Sequence, residues 1–419
     1  MNAIRENSIK ILEEIVEKKE FFSDLRDKYS KELNNTEAFV SMLVLTALRN
    51  KMFIEHVLQR FLQKPIAKKN IFVHYALVCA VTEIFYMDSP DYAVLNEYVN
   101  IVKRECDRFL GSMVNAVLRK IVNNKDELKK EEIQAFPADF KNMIINDFGL
   151  QAEEMIEKEY KKKPLLDITI YKNQKDFEKN IKVIKNDDYS YRITENYNVK
   201  NIYGYEQGFW WVQDYSSSLP VKLFDNLKNK KVLDLCAAPG GKTAQLIARG
   251  AEVTAIDISA KRLARLQENM KRLKFEKFEL ICDDAFNVLQ NNTDKFDAIL
   301  LDAPCSATGT LRRHPEVVYI KSAQDIVKMA EVQQRLLNKA AKRLADGGEI
   351  VYCVCSLFKA EGEDVINHFL HDNKNFVLCK AKEELFPDKR IVTKEGFIRV
   401  LPFYANGSDG FFAAKLCKI

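Results

Sequence analysis

The sequence predicts a multidomain protein with an all-α N-terminal domain, a small α/β connector and a C-terminal α/β domain on a doubly wound, mostly parallel sheet. Three observations carry this. Apolar residues recur at three- and four-residue spacing through the first 125 residues. Beyond Pro164 the period falls to two. After Lys230, short apolar runs alternate with amphipathic stretches of helical length, the pattern of repeated strand–helix units. The chain has 419 residues, room for two or three domains at about 100–200 residues each. The expected boundaries are 1–125, 126–225 and 226–419.

Composition narrows the class. Hydrophobic residues make up 47% and charged residues 30% of the chain, the balance of a globular protein with a substantial core. Only 14 Gly and 10 Pro exclude a fibrous or low-complexity chain. The apolar stretch Ile71–Val81 is interrupted by His74 and falls short of the ~20 residues that span a bilayer. Residues 1–7 contain no signal-peptide core. Nine cysteines without a C-x-x-C pair argue against a structural metal, so no metal is expected. Reduced thiols and a cytoplasmic location are the expectation. The net charge of +5 is too mild to indicate a partner. Local basic clusters at Lys261–Lys274 and Arg312-Arg313-His314 permit phosphate contacts without requiring them.

In chain order, Phe53/Ile54, Val57/Leu58 and Phe61/Leu62 mark one helix face that ends at Pro65. A buried helix is expected from about Asn70 to Met87, and another from Tyr92 to Cys106. Val114, Val117, Leu118 and Ile121 form a further apolar stripe. Residues 125–163 are charge-dense and read as a partly helical connector. Leu166, Ile168 and Ile170 alternate with polar neighbours, and Val199, Ile202 and Val212 stand in β-favouring contexts. Val232–Cys236, Glu252–Asp257, Phe278–Cys282, Asp297–Asp302 and Glu349–Cys353 read as strands. Lys261–Leu273 and Ala323–Leu344 are helices between them.

The run from Val232 through Leu235-Cys236-Ala237-Ala238-Pro239-Gly240-Gly241-Lys242-Thr243 is a strand, a small-residue turn and a helix start. In a doubly wound sheet, ligands bind beyond the carboxyl ends of the strands. Gly241-Lys242-Thr243 suggests a P-loop, but the first glycine of that motif would fall at Cys236, a residue not expected in a glycine conformation. The dinucleotide fingerprint G-x-G-x-x-G is absent as well. Asp257 ends the next strand, near the spacing of an acidic residue that accepts ribose hydroxyls. Asp284 ends the third, where a carboxylate can reach the adenine amine. The short loop lacks the nest a pyrophosphate needs. S-adenosyl-L-methionine is therefore the expected cofactor.

A single cysteine is more often a small buried apolar residue than a nucleophile. By that reasoning Cys79, Cys106, Cys236, Cys282, Cys379 and Cys417 are core or incidental. Cys305 and Cys355 differ, since each follows a strand end at the ligand edge. Methylating carbon 5 of cytosine calls for such thiols. Carbon 5 is too weakly nucleophilic to take a methyl from a sulfonium until a thiolate adds at carbon 6. An acid must hold ring nitrogen 3 during addition, and a base must then remove the carbon 5 proton. Asp302, three residues before Cys305, is placed for the first task.

At these residues the chain resembles the RNA (cytosine-5) methyltransferases, specifically the RsmB (Sun/Fmu) family acting on 16S rRNA. The matching motifs are Leu235–Thr243, Leu301-Asp302-Ala303-Pro304-Cys305-Ser306-Ala307-Thr308-Gly309, Arg312-Arg313-His314-Pro315 and Asp409–Leu416. Val212-Gln213-Asp214 matches ahead of the catalytic domain. Asn115-Ala116-Val117-Leu118-Arg119 is similar to the NusB-like RNA-binding domain at the front of that family. The resemblance implies a Rossmann-like class I methyltransferase fold and 16S rRNA as partner, with cytosine 967 as target. It makes Cys355 the nucleophile, Cys305 the cysteine that assists release, and Asp302 the cytosine contact. It assigns Cys236, Ala237, Ala238, Pro239, Gly240, Gly241, Lys242, Asp257, Asp284 and Asp302 to the cofactor. Where the family has Thr-Cys-Ser, Val354 precedes Cys355, and the proline expected shortly afterwards is missing from Leu357–Glu361. Cys353 lies two residues before Cys355, and its thiol is assigned to packing.

Two alternatives accompany this reading. Within the same class, the substrate is a tRNA. From another class, the chain is a non-catalytic RNA-binding assembly or antitermination factor with a silent enzyme domain, and the intact Asp302, Cys305 and Cys355 speak against silence. A monomer without membrane association is expected.

Overall fold

The computed structural model describes residues 2–33, 36–195, 197–291 and 293–419. They form two compact units, one of Met1–Lys162 with Leu311–Ser322, the other of Lys163–Thr310 with Ala323–Ile419. The expected connector, 126–225, is thus divided between them. The helices Ala138–Phe148 and Leu150–Tyr160 belong to the first unit.

The first unit is helical. Ile71–Tyr86 forms its central helix, with Val73 and every residue from Tyr75 to Ile84 buried. Around it pack Asn2–Lys18, Glu37–Arg49, Asp91–Glu105 and Arg108–Asn123. The last of these buries Val114, Val117, Leu118 and Ile121, the stripe read from the sequence. Burying side chains of this size contributes about 1.5–3 kcal/mol each. Glu83 is fully buried within the bundle and takes both arms of the Arg5 guanidinium, at 2.8 and 2.7 Å. Leu311–Ser322 completes the same core. Ile320 is buried in it, and the Glu316 side chain accepts the Phe22 N–H at 3.1 Å.

In the second unit, the strands β1 (Leu166–Ile170), β2 (Val183–Lys185), β3 (Ser190–Ile193) and β4 (Trp210–Val212) form an antiparallel sheet in the order β2-β3-β1-β4. Val199 lies in a 3₁₀ turn rather than a strand, and Ile202 follows that turn. Gln213 joins this sheet to the helix Gly241–Ala248. It accepts from Thr169 and Trp211, both at 2.8 Å, and donates to Gln245 at 2.8 Å.

The larger sheet contains β5 (Lys231–Leu235), β6 (Glu252–Asp257), β7 (Phe278–Cys282), β8 (Phe296–Asp302), β9 (Leu344–Val354), β10 (Phe376–Cys379), β11 (Ile398–Val400) and β12 (Phe411–Lys418). Among the described residues its order is β10-β12-β9-β8-β5-β6-β7, with β11 beside β12. From β9 to β7 the pairings are parallel, and those of β12 are antiparallel. The chain runs outward from β5 through β7 and returns to the other side of β5 as β8. Strand order therefore reverses between β5 and β8, which opens a crevice at their carboxyl ends.

The cysteines divide differently from expectation at one place. Cys379 and Cys417, read as core or incidental, form a disulfide between the neighbouring strands β10 and β12. Cys79 and Cys353 are buried, and Cys106 and Cys282 are exposed.

Candidate active site

The glycine loop leaves β5 at the crevice. Cys236, the first residue past the strand, has φ +61°, a left-handed conformation that costs a non-glycine residue roughly 1–2 kcal/mol. The expectation that a cysteine could not adopt this backbone is therefore wrong, although the P-loop pattern still lacks its first glycine. Gly240 has φ +99°, and a Cβ there would lie 2.6 Å from Leu266 Cγ. That close approach seats the loop on the helix Ala260–Leu273, whose Leu263, Leu266, Met270 and Leu273 face inward. Ser259 caps that helix, its hydroxyl accepting the Arg262 N–H at 3.3 Å.

Asp257 ends β6 almost fully buried. Its carboxylate accepts the N–H groups of Ala238 at 3.1 Å and Ser259 at 3.0 Å, and the Arg262 guanidinium stands 3.6 Å away. Arg262 also donates to the Ala238 carbonyl, so the glycine loop is held from β6. Asp284 lies two residues beyond β7 and accepts the Phe286 N–H at 2.6 Å, opening the helix Ala285–Asn291. Ile258, the residue after Asp257, leaves 66% of its surface exposed.

Beneath the loop, Asp234 of β5 is wholly buried and accepts the Thr243 hydroxyl at 2.6 Å. Burial pushes its pKa up to about 7, against the hydrogen bond from Thr243, while Asp302 adds to the rise. Burial likewise drives the Cys236 thiol up to about 12, with Asp302, Asp257 and Asp234 adding to it. Lys242 reaches from the loop to Asp302, with Nζ 2.8 Å from Oδ2. Burial acts to lower its pKa, but Asp302 and the Cys353 and Cys355 thiols outweigh it and hold the ammonium above its ordinary range. Lys242 Nζ also lies 5.2 Å from the centre of the Phe411 ring, within cation–π range.

On the other side of the crevice, β8 and β9 run parallel with Asp302 opposite Cys353. Cys353 is buried, with its sulfur 3.4 Å from Asp302 Oδ1. Burial, then Asp302, raises its pKa well above the ordinary thiol range. The strands end here, and the two turns beyond them bring Cys305 and Cys355 together, sulfur to sulfur at 3.3 Å and both half-buried. The contact with Cys355 comes first in pushing the Cys305 pKa well up, followed by burial. Gly309 donates its N–H to the Cys355 carbonyl at 3.0 Å, and Gly410 donates to the Gly309 carbonyl at 2.8 Å. A Cβ on Gly309 would come within 1.9 Å of the Gly410 oxygen, so only glycine fits.

Residues 236–242, Asp257, Asp284, Asp302, Cys305 and Cys355 thus stand along this one edge of the sheet, whereas Arg312-Arg313-His314-Pro315 passes into the helical unit. Sequence reasoning missed Glu361, Gln333, Ser306, Ser356 and Ile258. The only signal was the serine that follows each of the two cysteines.

The crevice, with carboxylates at successive strand ends and an exposed isoleucine beside the first, suits an adenosine-bearing ligand. It defines a methyltransferase of the Rossmann-like class. The model of the "16S rRNA methyltransferase RsmB/F" family matches residues 221–417, and that of the "NusB family" matches residues 2–123. Ribosomal RNA small subunit methyltransferase B of Serratia proteamaculans is 31% identical over 399 residues, covering 91% of this chain and 90% of the relative. Its counterpart in Proteus mirabilis is 30% identical over 398 residues, with the same coverage. The crystal structure of PH0851 superposes with a TM-score of 0.79 at 23% identity, covering 98% of both chains, and so shares the fold. The chain belongs to the ribosomal RNA small subunit methyltransferase B family, whose cofactor is S-adenosylmethionine. Among the described residues, no helix is long and apolar enough to cross a membrane.

Proposed function

We propose that this protein methylates carbon 5 of one cytosine of 16S rRNA, cytosine 967, through a covalent cysteine–cytosine intermediate, acting as a cytoplasmic monomer. The observation that carries the reading is the Cys305–Cys355 contact of 3.3 Å, beside the strand pair that ends in Asp302. One thiol explains attack, and two in contact explain attack followed by release.

The bound cofactor supplies an electrophilic methyl on a sulfonium. Asp257 accepts the ribose hydroxyls, Asp284 the adenine amine, and residues 236–242 wrap the remainder, with Ile258 offering an apolar face to the base. Cys355 forms a bond to carbon 6, and the displaced ring electrons make carbon 5 nucleophilic. Asp302 holds ring nitrogen 3, and Lys242, already bonded to it, carries the proton that arrives there. As carbon 5 takes the methyl, the methyl–sulfur bond breaks, leaving Cys355 bonded to carbon 6 and Cys305 as the free thiol beside it. Cys305 then assists removal of the carbon 5 proton, the double bond re-forms, and Cys355 leaves.

Cells lacking the protein test the substrate. Mapping 5-methylcytosine by mass spectrometry should show one cytosine of 16S rRNA unmodified and tRNA unchanged. Loss confined to tRNA would sink the rRNA assignment.

A further inference from the structure

One fully buried carboxylate takes no part in that scheme yet touches both cysteine turns. Glu361 closes a short 3₁₀ turn after β9 and is 0% exposed. Its Oε1 accepts the Ser306 N–H at 2.8 Å and the Gln333 amide at 3.0 Å. Its Oε2 accepts the hydroxyls of Ser306 and Ser356, both at 2.5 Å. Four donors fill the lone-pair positions a carboxylate offers. Ser306 is the residue after Cys305, and Ser356 the residue after Cys355. The second proton of the Gln333 amide goes to the Pro304 carbonyl at 2.9 Å, the residue before Cys305. Tyr352 of β9 donates to the carbonyl oxygen of Glu361 itself at 2.6 Å.

We propose that Glu361 is a positioning residue that sets the distance between the two thiols, and through it the passage from attack to release. The inference rests on the roles given above to Cys355 and Cys305. Parallel pairing holds β8 and β9 in register as far as Asp302 and Cys353, but both reactive cysteines lie past the last ladder bond. Beyond that point the turns are tied by the Glu361 carboxylate with its Gln333 partner, by the Gly309–Cys355 backbone bond, by hydroxyl contacts of Ser306 and Thr308 with Ser356 at 3.4 and 3.3 Å, and by the Leu357 N–H donating to the Thr308 hydroxyl at 3.1 Å. Releasing the tie lets each sulfur wander, and a misplacement of about 1 Å can reduce turnover about 100-fold.

The test uses the full chain as Glu361→Ala and Glu361→Gln, with three readouts: steady-state methylation of rRNA, cofactor affinity by calorimetry, and closure of the Cys305–Cys355 disulfide by diamide. In closure, the two thiols give two protons and two electrons to the diamide N=N bond, and peptide mapping identifies the product. Glu361→Ala should lower kcat about 100-fold and slow closure at least about tenfold, with KM and cofactor affinity within about twofold. Glu361→Gln should restore most of both, since serine hydroxyls can rotate to accept from the amide. If Glu361→Ala does not fold, Ser356→Ala removes one arm alone and should shift both readouts in the same direction by less. Closure at the wild-type rate in a folded variant would overturn the proposal, as would a loss of cofactor affinity as large as the loss of turnover. Should Cys355→Ala still methylate, the catalytic roles fall instead, and the closure rate continues to report on Glu361.

Discussion

Lys242 Nζ lies 2.8 Å from Oδ2 of Asp302, joining the loop after β5 to the end of β8 across the point where strand order reverses. The pair joins the cofactor loop to the one residue that the sequence reading assigns to both the cofactor and the cytosine. Lys242→Met should lower methyl transfer by about 10²–10⁴-fold, the range of general acid catalysis. Cofactor affinity, measured by calorimetry, should fall much less. An equal fall in both would confine Lys242 to the cofactor loop.

The two thiols separate by when each acts. Cys355→Ala should neither methylate nor form an adduct. Cys305→Ala should attack and methylate but stall while bound, giving a slow-migrating protein–RNA band on a denaturing gel with labelled rRNA and S-adenosylmethionine. Cys353→Ala should turn over without a trapped band, in keeping with its burial on β9 between β8 and β12. The band appearing with Cys355→Ala instead would exchange the two roles.

Asp257→Ala removes the proposed ribose acceptor, whose charge-assisted hydrogen bonds contribute about 1.5–3 kcal/mol each. S-adenosylmethionine should bind roughly 10- to 100-fold more weakly, with RNA affinity little changed. The loss includes loosening of the glycine loop, since Asp257 also accepts the Ala238 N–H. An unaltered cofactor affinity would move the ribose site elsewhere.

Asp234 gives the fold a pH dependence of definite sign. Its pKa rises from 3.8 in the unfolded chain to about 7 in the native state, so between these values the native state holds the extra proton. Stability therefore falls as pH rises through that window, by up to about 4 kcal/mol at 1.36 kcal/mol per unit. The charges nearby are Lys242, Asp302 and Asp257. Asp234→Asn retains an acceptor for Thr243 and should flatten this slope in urea unfolding at pH 4, 6 and 8. Parallel curves for the two proteins would mean that Asp234 is ionised throughout.

The strand ends are legible in the sequence because a charged or thiol residue closing an apolar run marks where a buried strand emerges. That is why Asp257, Asp284, Asp302, Cys305 and Cys355 can be placed at one edge from the residue pattern alone. The clamp on Glu361 leaves no such trace. Ser306 and Glu361 are 55 residues apart, and a single long-range contact imposes no period on the sequence. Pairing of Cys379 with Cys417, 38 residues apart, is hidden for the same reason, and it departs from the expectation of reduced thiols. The positive φ of Cys236 escapes a rule that reserves such geometry for glycine. The charge-dense stretch 125–163, read as partly helical, holds the helices Ala138–Phe148 and Leu150–Tyr160, whose bounds are hard to read because long polar side chains can cover an apolar face and mask its spacing.

The detour of Leu311–Ser322 into the helical core carries a consequence for synthesis. Arg49 donates to the carbonyl oxygens of both Tyr160 and Arg312, at 2.7 and 2.9 Å, and Glu316 caps the Phe22 N–H. A ribosome that has released the first 162 residues has therefore not yet delivered all the parts of the front unit. The early helices await a dozen residues that emerge only after β5 to β8, so the usual order of completion, N-terminal domain first, does not hold here. The front unit is complete only once Ser322 has emerged, with β9 to β12 of the other unit still to follow, and a chain cut at Lys162 would leave the seats of Arg312, Glu316 and Ile320 open to water.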